Sequence, residues 1–263
     1  MEKYLSIINF RTLIALGITW CATFLTIRFN FQYNFDLTMI SIAIIFPLVF
    51  TIRSAFKRRE KALEFLSRFK SGIITVKSSI ESSTKISAKE KEEVLEILLR
   101  IPKSLISYLG PEPLPIEILR ADVSIVNDLL INLNNKVKIS GLLKILGFMR
   151  DVHMGIENTA AIKLHRTPTS IRAYCLLFIY LYPIIYVPSI LYKLNESSSM
   201  NDSWILYSLS IVSSFILISL FNVQEQLENP FDQDGIDDIK LETFDLDSLE
   251  VNRIKNGAKP IFE

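Results

Sequence analysis

The chain has 263 residues, 49% of them hydrophobic, and its 29 Lys and Arg side chains balance 28 Asp and Glu to a net charge of +1. That is more apolar than an average soluble domain, and a net charge so near zero implies neither nucleic acid nor an acidic substrate. The two cysteines, Cys21 and Cys175, lie inside apolar runs, too few for a disulfide framework and without metal-ligand spacing.

Four apolar runs organise the chain. Thr12–Ile27 (TLIALGITWCATFLTI) lies between Arg11 and Arg28, and Leu37–Ile52 (LTMISIAIIFPLVFTI) carries no charge. A spanning helix needs about 20 apolar residues, so these two must extend into their flanks or sit in a thinned bilayer. A signal peptide does not fit, because a second apolar run follows within a few residues and no clear small-x-small cleavage site intervenes. Ile171–Tyr192 is apolar apart from Arg172, which can snorkel from its place near the run's start, and Ser203–Phe221 is uncharged. Four membrane spans are expected.

Between the second and third runs lies an insertion that reads as helices. Phe56, Leu63, Leu66, Ile73 and Ile74 fall near helical spacing. Ser87-Ala-Lys-Glu90 is a capping-box signature before Val94, Leu95, Leu98 and Leu99. GPEPLP (110–115) breaks the chain before the periodic stretch Ile116–Leu133, and Lys138–Leu164 reads as one more helix or two. With almost no alternating strand pattern and no internal repeat, the fold class is all-α. The expected domains are a membrane hairpin (1–53), a cytosolic helical domain (54–170), a second membrane hairpin (171–222), and an acidic turn with a C-terminal tail (223–263). Arg53, Lys57, Arg58, Arg59 and Lys61 cluster after the second run, which puts that end, and with it both termini, in the cytoplasm. The links Arg28–Asp36 and Lys193–Asp202 then face outward.

No Gly-rich phosphate loop, HExxH or nucleophile elbow is present. His153 and His165 have no Cys partners and read as surface or satisfied polar groups. Glu112, Glu117 and Asp122 surround a turn and read as solvated. Nothing proposes bond-making chemistry, so the expectation is a non-enzyme whose function resides in the membrane.

Two stretches carry functional possibilities. Ile42, Phe46 and Phe50 recur at i, i+4 and i+8 and share one helical stripe, with Pro47 placed to loosen or kink the backbone. The plain reading packs them against other helices or lipid. The sharper one stacks copies of them as apolar rings around an oligomer axis, a constriction that can gate by dewetting. Phe rings presented edge-on would favour an anion over a cation. The second stretch, EQLENPFDQDGIDD (225–238), places Asp232, Asp234, Asp237 and Asp238 in an Asn-Pro turn soon after the last apolar run. Hard cations take oxygen ligands from such loops. An EF-hand fails, since with Gly235 as the invariant glycine Pro230 would be the first ligand and Leu241 the last. The other reading is an acidic turn facing water.

Together these stretches resemble the bestrophin family. VQEQLENPFDQDGIDD (223–238) is similar to that family's post-membrane signature, IAIIFPLVFTIRSAFKRRE (42–60) to its second membrane helix and basic continuation, and RTPTSIRAY (166–174) to the Thr-Pro turn before its third span. The order of four spans around a helical insertion matches over essentially the whole chain. The resemblance implies a homopentameric ion channel with one pore on the symmetry axis, conducting anions such as chloride, with span 2 lining the pore and Ile42, Phe46 and Phe50 as its hydrophobic neck. It implies a second, cytosolic constriction within Lys138–Leu146, with Ile139 as the candidate and Ile145 behind it. It also implies a Ca²⁺ clasp whose matching positions are Gln226, Asn229, Asp234 and Asp237, the first two through backbone carbonyls. No other cofactor is required, and the implied partners are further copies of the chain, membrane lipid and permeant small ions, in the plasma or inner membrane.

The chain departs from the family pattern at Asp232, where Gly is usual, and at Gly235 and Ile236, which thin the acidic run. MEKYLSIINF does not match the animal members, and the short tail after Glu242 resembles bacterial ones. The alternatives are a cation-conducting channel of the same kind and a non-conducting scaffold or regulatory subunit on the same fold. A transporter would need a repeat or an intramembrane charge pair, and the sequence carries neither.

Overall fold

The computed structural model describes residues 8–133, 138–197, 203–235 and 237–246. The first seven residues, 134–137, 198–202, Ile236 and the tail beyond 246 lie outside the described residues. Among those described are seven α-helices: α1 Phe10–Phe29, α2 Leu37–Ser82, α3 Ala88–Leu109, α4 Ile116–Asn132, α5 Ile139–Leu164, α6 Thr169–Ser197 and α7 Ser203–Glu228. A 3-10 turn follows at Leu241–Phe244. Four helical stretches are long and apolar enough to cross a membrane: Phe10–Phe29, part of Leu37–Ser82, part of Ile139–Glu196, and Ser203–Glu228. The molecule is an all-α integral membrane protein. The helices divide into two compact units, one formed by 1–58, 166–228 and 235–237, the other by 59–165, 229–234 and 238–263.

In the first unit α1 begins at a capping box. Asn9 accepts the Thr12 amide through its side chain at 3.2 Å, and the Asn9 amide donates to Thr12 Oγ1 at 3.3 Å. Asn222 of α7 joins this cap by donating to Thr12 Oγ1 at 2.9 Å. From there Thr12, Ala15, Thr19, Thr23 and Thr26 form one buried stripe. Thr19 Oγ1 meets Ser214 Oγ at 2.8 Å. Lipid tails are as apolar as Leu, so helices in a bilayer associate through close packing of small residues and through hydrogen bonds across the contact. This Thr/Ser/Asn face uses both. The unit's apolar core gathers Ala15, Ile40, Ile44, Leu48, Cys175, Ile179, Leu217, Ile218 and Phe221. Arg11 pairs with Glu225 at 2.5 Å.

The second unit holds the larger core, built from Leu66, Phe69, Ile73, Leu98, Ile101, Leu105, Val126, Met149, Val152 and others. The predicted capping box is present: Glu90 Oε2 accepts both the Ser87 amide, at 3.1 Å, and its hydroxyl, at 2.7 Å. GPEPLP separates α3 from α4 as expected, and Lys138–Leu164 resolves into the single helix α5.

The stretch after the basic cluster is helical as expected, and its buried face is Ala55, Ala62, Leu66, Phe69, Ile73, Val76 and Ile80, while Phe56, Leu63 and Ile74 are exposed. One expectation is corrected. Asp122 is buried, not solvated: it takes a hydrogen bond from Arg100 and one from Ser104 at 3.3 Å. A carboxylate inside a helical unit is tolerated only when paired in this way.

Candidate pore helix and acidic turn

Helix α2 starts where Asp36 Oδ1 accepts the Thr38 amide at 2.9 Å, satisfying a first-turn donor. That hydrogen bonding also holds the Asp36 carboxyl below the usual carboxylate range. Ile40, Ile44, Leu48, Thr51 and Ala55 then recur at steps of three or four and are all buried. The opposite side carries the candidate neck: Ile42 is 58% exposed, Phe46 62% and Phe50 55%. Their shared face is the one that α2 does not use within its own chain. The Phe46 and Phe50 rings meet edge to face, with centroids 4.9 Å apart and planes at 82°, a favoured aromatic geometry.

Pro47 lies inside this helix without ending it. Its ring removes the donor that would have satisfied the Ala43 carbonyl one turn earlier. The Tyr174 hydroxyl of α6 donates to that carbonyl instead, over a long 3.4 Å. Phe46, Pro47 and Phe50 also form one wall of a groove of about 670 Å³ whose other wall includes Thr167, Ile171 and Tyr174.

At the end of α7, Gln226 is half-buried and Glu228 is 1% exposed. Glu228 accepts the Thr167 amide at Oε1, the Thr167 hydroxyl at Oε2 (2.8 Å) and the Gln224 amide at Oε2 (3.2 Å). Its charge also acts on Arg58, which feels Arg166 as well. An acidic residue in the last turn of a helix opposes the macrodipole, so this carboxylate depends on the donors and cations around it. That mismatch is the signal by which sequence reasoning could have found it.

The residues after Glu228 fasten into the second unit. Phe231 is fully buried in its core, together with Ile239, Leu241, Phe244 and Leu246. The Pro230 carbonyl accepts the Ile239 amide at 2.9 Å. Gln233 adopts a left-handed conformation, φ 66°, and its side chain donates to the Ile239 carbonyl at 2.8 Å. Asp232 closes the turn from within, taking the Asn229 side-chain amide at 2.8 Å and the Asp234 amide at 3.4 Å. Asp234 and Asp237 are exposed. Asn229 and Asp234 belong to the second unit, Gln226 and Asp237 to the first. Among the described residues no three His, Cys, Asp or Glu side chains converge where they could hold a metal.

The two candidates for the cytosolic constriction differ. Ile139 opens α5 and is 66% exposed, whereas Ile145 is buried in the core of the second unit. Only Ile139 is free of the packing that holds its neighbour.

No protein-family model matches the sequence, and no curated protein matches it. Solved structures do. The chain is similar to a bacterial bestrophin homologue from Klebsiella pneumoniae at 14% identity and a TM-score of 0.73, covering 95% of this chain and 99% of that one. Two point variants of that homologue match at 14% identity with TM-scores of 0.72 and 0.73, covering 93% and 95% of this chain and 98% of theirs. The chain has a bestrophin-like fold.

Proposed function

We propose that the chain is one subunit of a homopentameric ion channel that conducts anions, chloride among them, and is gated at a neck formed by Ile42, Phe46 and Phe50. The observation that carries this reading is the division of α2 into two faces. Ile40, Ile44 and Leu48 are spent on the chain's own core, and Ile42, Phe46 and Phe50 are left bare on the other side. In a bestrophin-like fold that bare side is what further copies of α2 would share. An apolar ring of this kind resists wetting and so closes a pore without a plug. Ring edges bear partial positive charge, which favours anions at the narrowest point. Both termini lie in the cytoplasm, with Arg53 and Lys57 at the inner end of span 2, in the plasma or bacterial inner membrane.

The test is electrical. Purified protein in a planar bilayer under asymmetric KCl should pass current that reverses near the chloride equilibrium potential. Phe46→Ala combined with Phe50→Ala should wet the neck and raise the conductance. Reversal near the potassium potential would transfer the reading to a cation channel. Silence from both wild type and double variant would leave a non-conducting scaffold.

A further inference from the structure

The face of α1 that points away from the chain's core contains a groove of about 720 Å³, lined almost entirely by apolar atoms. Ile14, Gly17, Cys21 and Leu25 form its floor, and Ile184 and Pro188 of α6 stand on its other side. The spacing of the floor residues puts them on one helical face. Gly17 opens it: a Cβ built there would meet nothing within 4 Å. The same face reaches Arg28 at the helix end, one turn beyond Leu25. Arg28 is exposed and has no acidic partner among the described residues.

We infer that this groove is a phospholipid site, with an acyl chain along Ile14–Leu25 and the headgroup phosphate on the Arg28 guanidinium. The occupant follows from the chemistry of the two ends. A membrane-spanning, nearly wholly apolar trough accepts hydrocarbon and offers nothing to a polar solute. A lone guanidinium at its mouth supplies a charge-assisted, bidentate partner for a phosphate oxygen pair. Dimensions agree. Ile14 to Arg28 rises about 21 Å along the helix, more than half of a hydrocarbon core about 30 Å thick, so one leaflet's acyl chain fits below its headgroup. Phe29 and Phe31, exposed beside Arg28, sit where aromatic side chains gather at a membrane interface. A second copy of the chain would cover the groove without requiring the arginine. The inference rests on the membrane-spanning α1 and not on conduction, so failure of the channel reading leaves it standing.

The test uses the full chain reconstituted in vesicles of phosphatidylglycerol and phosphatidylcholine, extracted gently and weighed by native mass spectrometry. Wild type should retain one phospholipid per chain. Gly17→Leu, which fills the open floor, should lose it. Arg28→Gln should lower the retained fraction about tenfold, the worth of one charge-assisted hydrogen bond. Val212→Leu, on an exposed position of α7, should behave as wild type. A second readout does not depend on the Gly17 variant folding. The Cys21 thiol in the groove should react slowly with a maleimide in the lipid-loaded protein and quickly after delipidation, and Cys175, being buried, should contribute little. Equal lipid loss from wild type and Gly17→Leu, or a Cys21–Cys21 disulfide forming between chains in the vesicle, would overturn the inference, the latter by showing a second copy in the groove.

Discussion

Glu228 shows how much a single side chain can hold together. Its carboxylate receives three hydrogen bonds, from Thr167 twice and from Gln224, and its charge acts on Arg58, which Arg166 also repels. Burying that charge is costly, and the cost is recovered only while its partners stay in place. Glu228→Ala would strand the Gln224 amide and the Thr167 donors in a site that water does not reach, and would leave Arg58 and Arg166 facing each other. Removing one member of a buried charged network costs about 3–5 kcal/mol, which for a chain of this length corresponds to a fall in Tm on the order of 10 °C. Glu228→Gln keeps the shape and an accepting oxygen, so it should fall by less than half as much. Thermal unfolding of wild type and both variants in one detergent checks this, and a Glu228→Gln protein with the wild-type Tm would mean that the charge contributes nothing. The sequence pointed to the stretch around this residue and missed the residue itself. Reading EQLENPFDQDGIDD for exposed oxygen ligands favours acidic groups in a turn, but the buried carboxylate lies just before it, at the helix end. Phe231 was missed for a related reason. A phenylalanine in a polar turn looks incidental until the core it fills, assembled from α2 to α5, is in view.

At the scale of elements, the helices that were easiest to read carry local signals. The Ser87–Glu90 box, the GPEPLP break and the four apolar runs are all short-range chemistry, and each marks an element that exists. Helix α2 was harder. Its composition changes abruptly at Arg53, where apolar residues give way to basic ones, and that reads as a boundary between elements. The backbone takes no notice, because the change is one of surroundings and not of helical preference. The helix continues to Ser82. Beyond Arg53 the buried stripe begins with Ala55 and Ala62, whose small side chains barely register in a hydrophobic pattern, so Phe56 and Leu63 drew attention one position too far round. Close approach explains small residues elsewhere too. A Cβ at Gly155 would lie 2.5 Å from Phe69 Cβ and 3.0 Å from the Phe65 carbonyl oxygen and Phe69 Cα. The α2–α5 contact therefore needs glycine at this point. Gly155→Ala must push the helices apart and should destabilise by about 1–3 kcal/mol. Gly147, two turns earlier on the same helix, has nothing within 4 Å of its Cβ position. There alanine only restricts the unfolded chain and should stabilise by about 0.5–1 kcal/mol. Opposite shifts in Tm from the same substitution on one helix would be hard to obtain by any route other than packing.

The whole molecule poses a question that one chain cannot answer by burial alone. In water, the bare Ile42, Phe46 and Phe50 would argue for a partner at once. In a bilayer they would be equally at ease against acyl chains, so exposure does not choose between lipid and a second copy. The choice turns on geometry. If α2 lines a shared axis, identical residues from every copy meet there, and position 46 of one chain comes close to position 46 of the others. If α2 faces lipid, they never meet. Two measurements separate these cases. Light scattering on the detergent-solubilised protein, corrected for bound detergent, should give five times the 30.2 kDa chain mass. Phe46→Cys should form chain-to-chain disulfides in membranes under mild oxidation. A cysteine placed at Leu209, exposed on α7, should not. A monomeric mass with no Phe46→Cys cross-link would turn the ring-bearing face out toward the acyl chains and remove the neck, while leaving the bestrophin-like fold intact. A pentamer in which Phe46→Cys cross-links and the double alanine variant conducts more than wild type would tie the bare side of α2 to the permeation path by two independent routes.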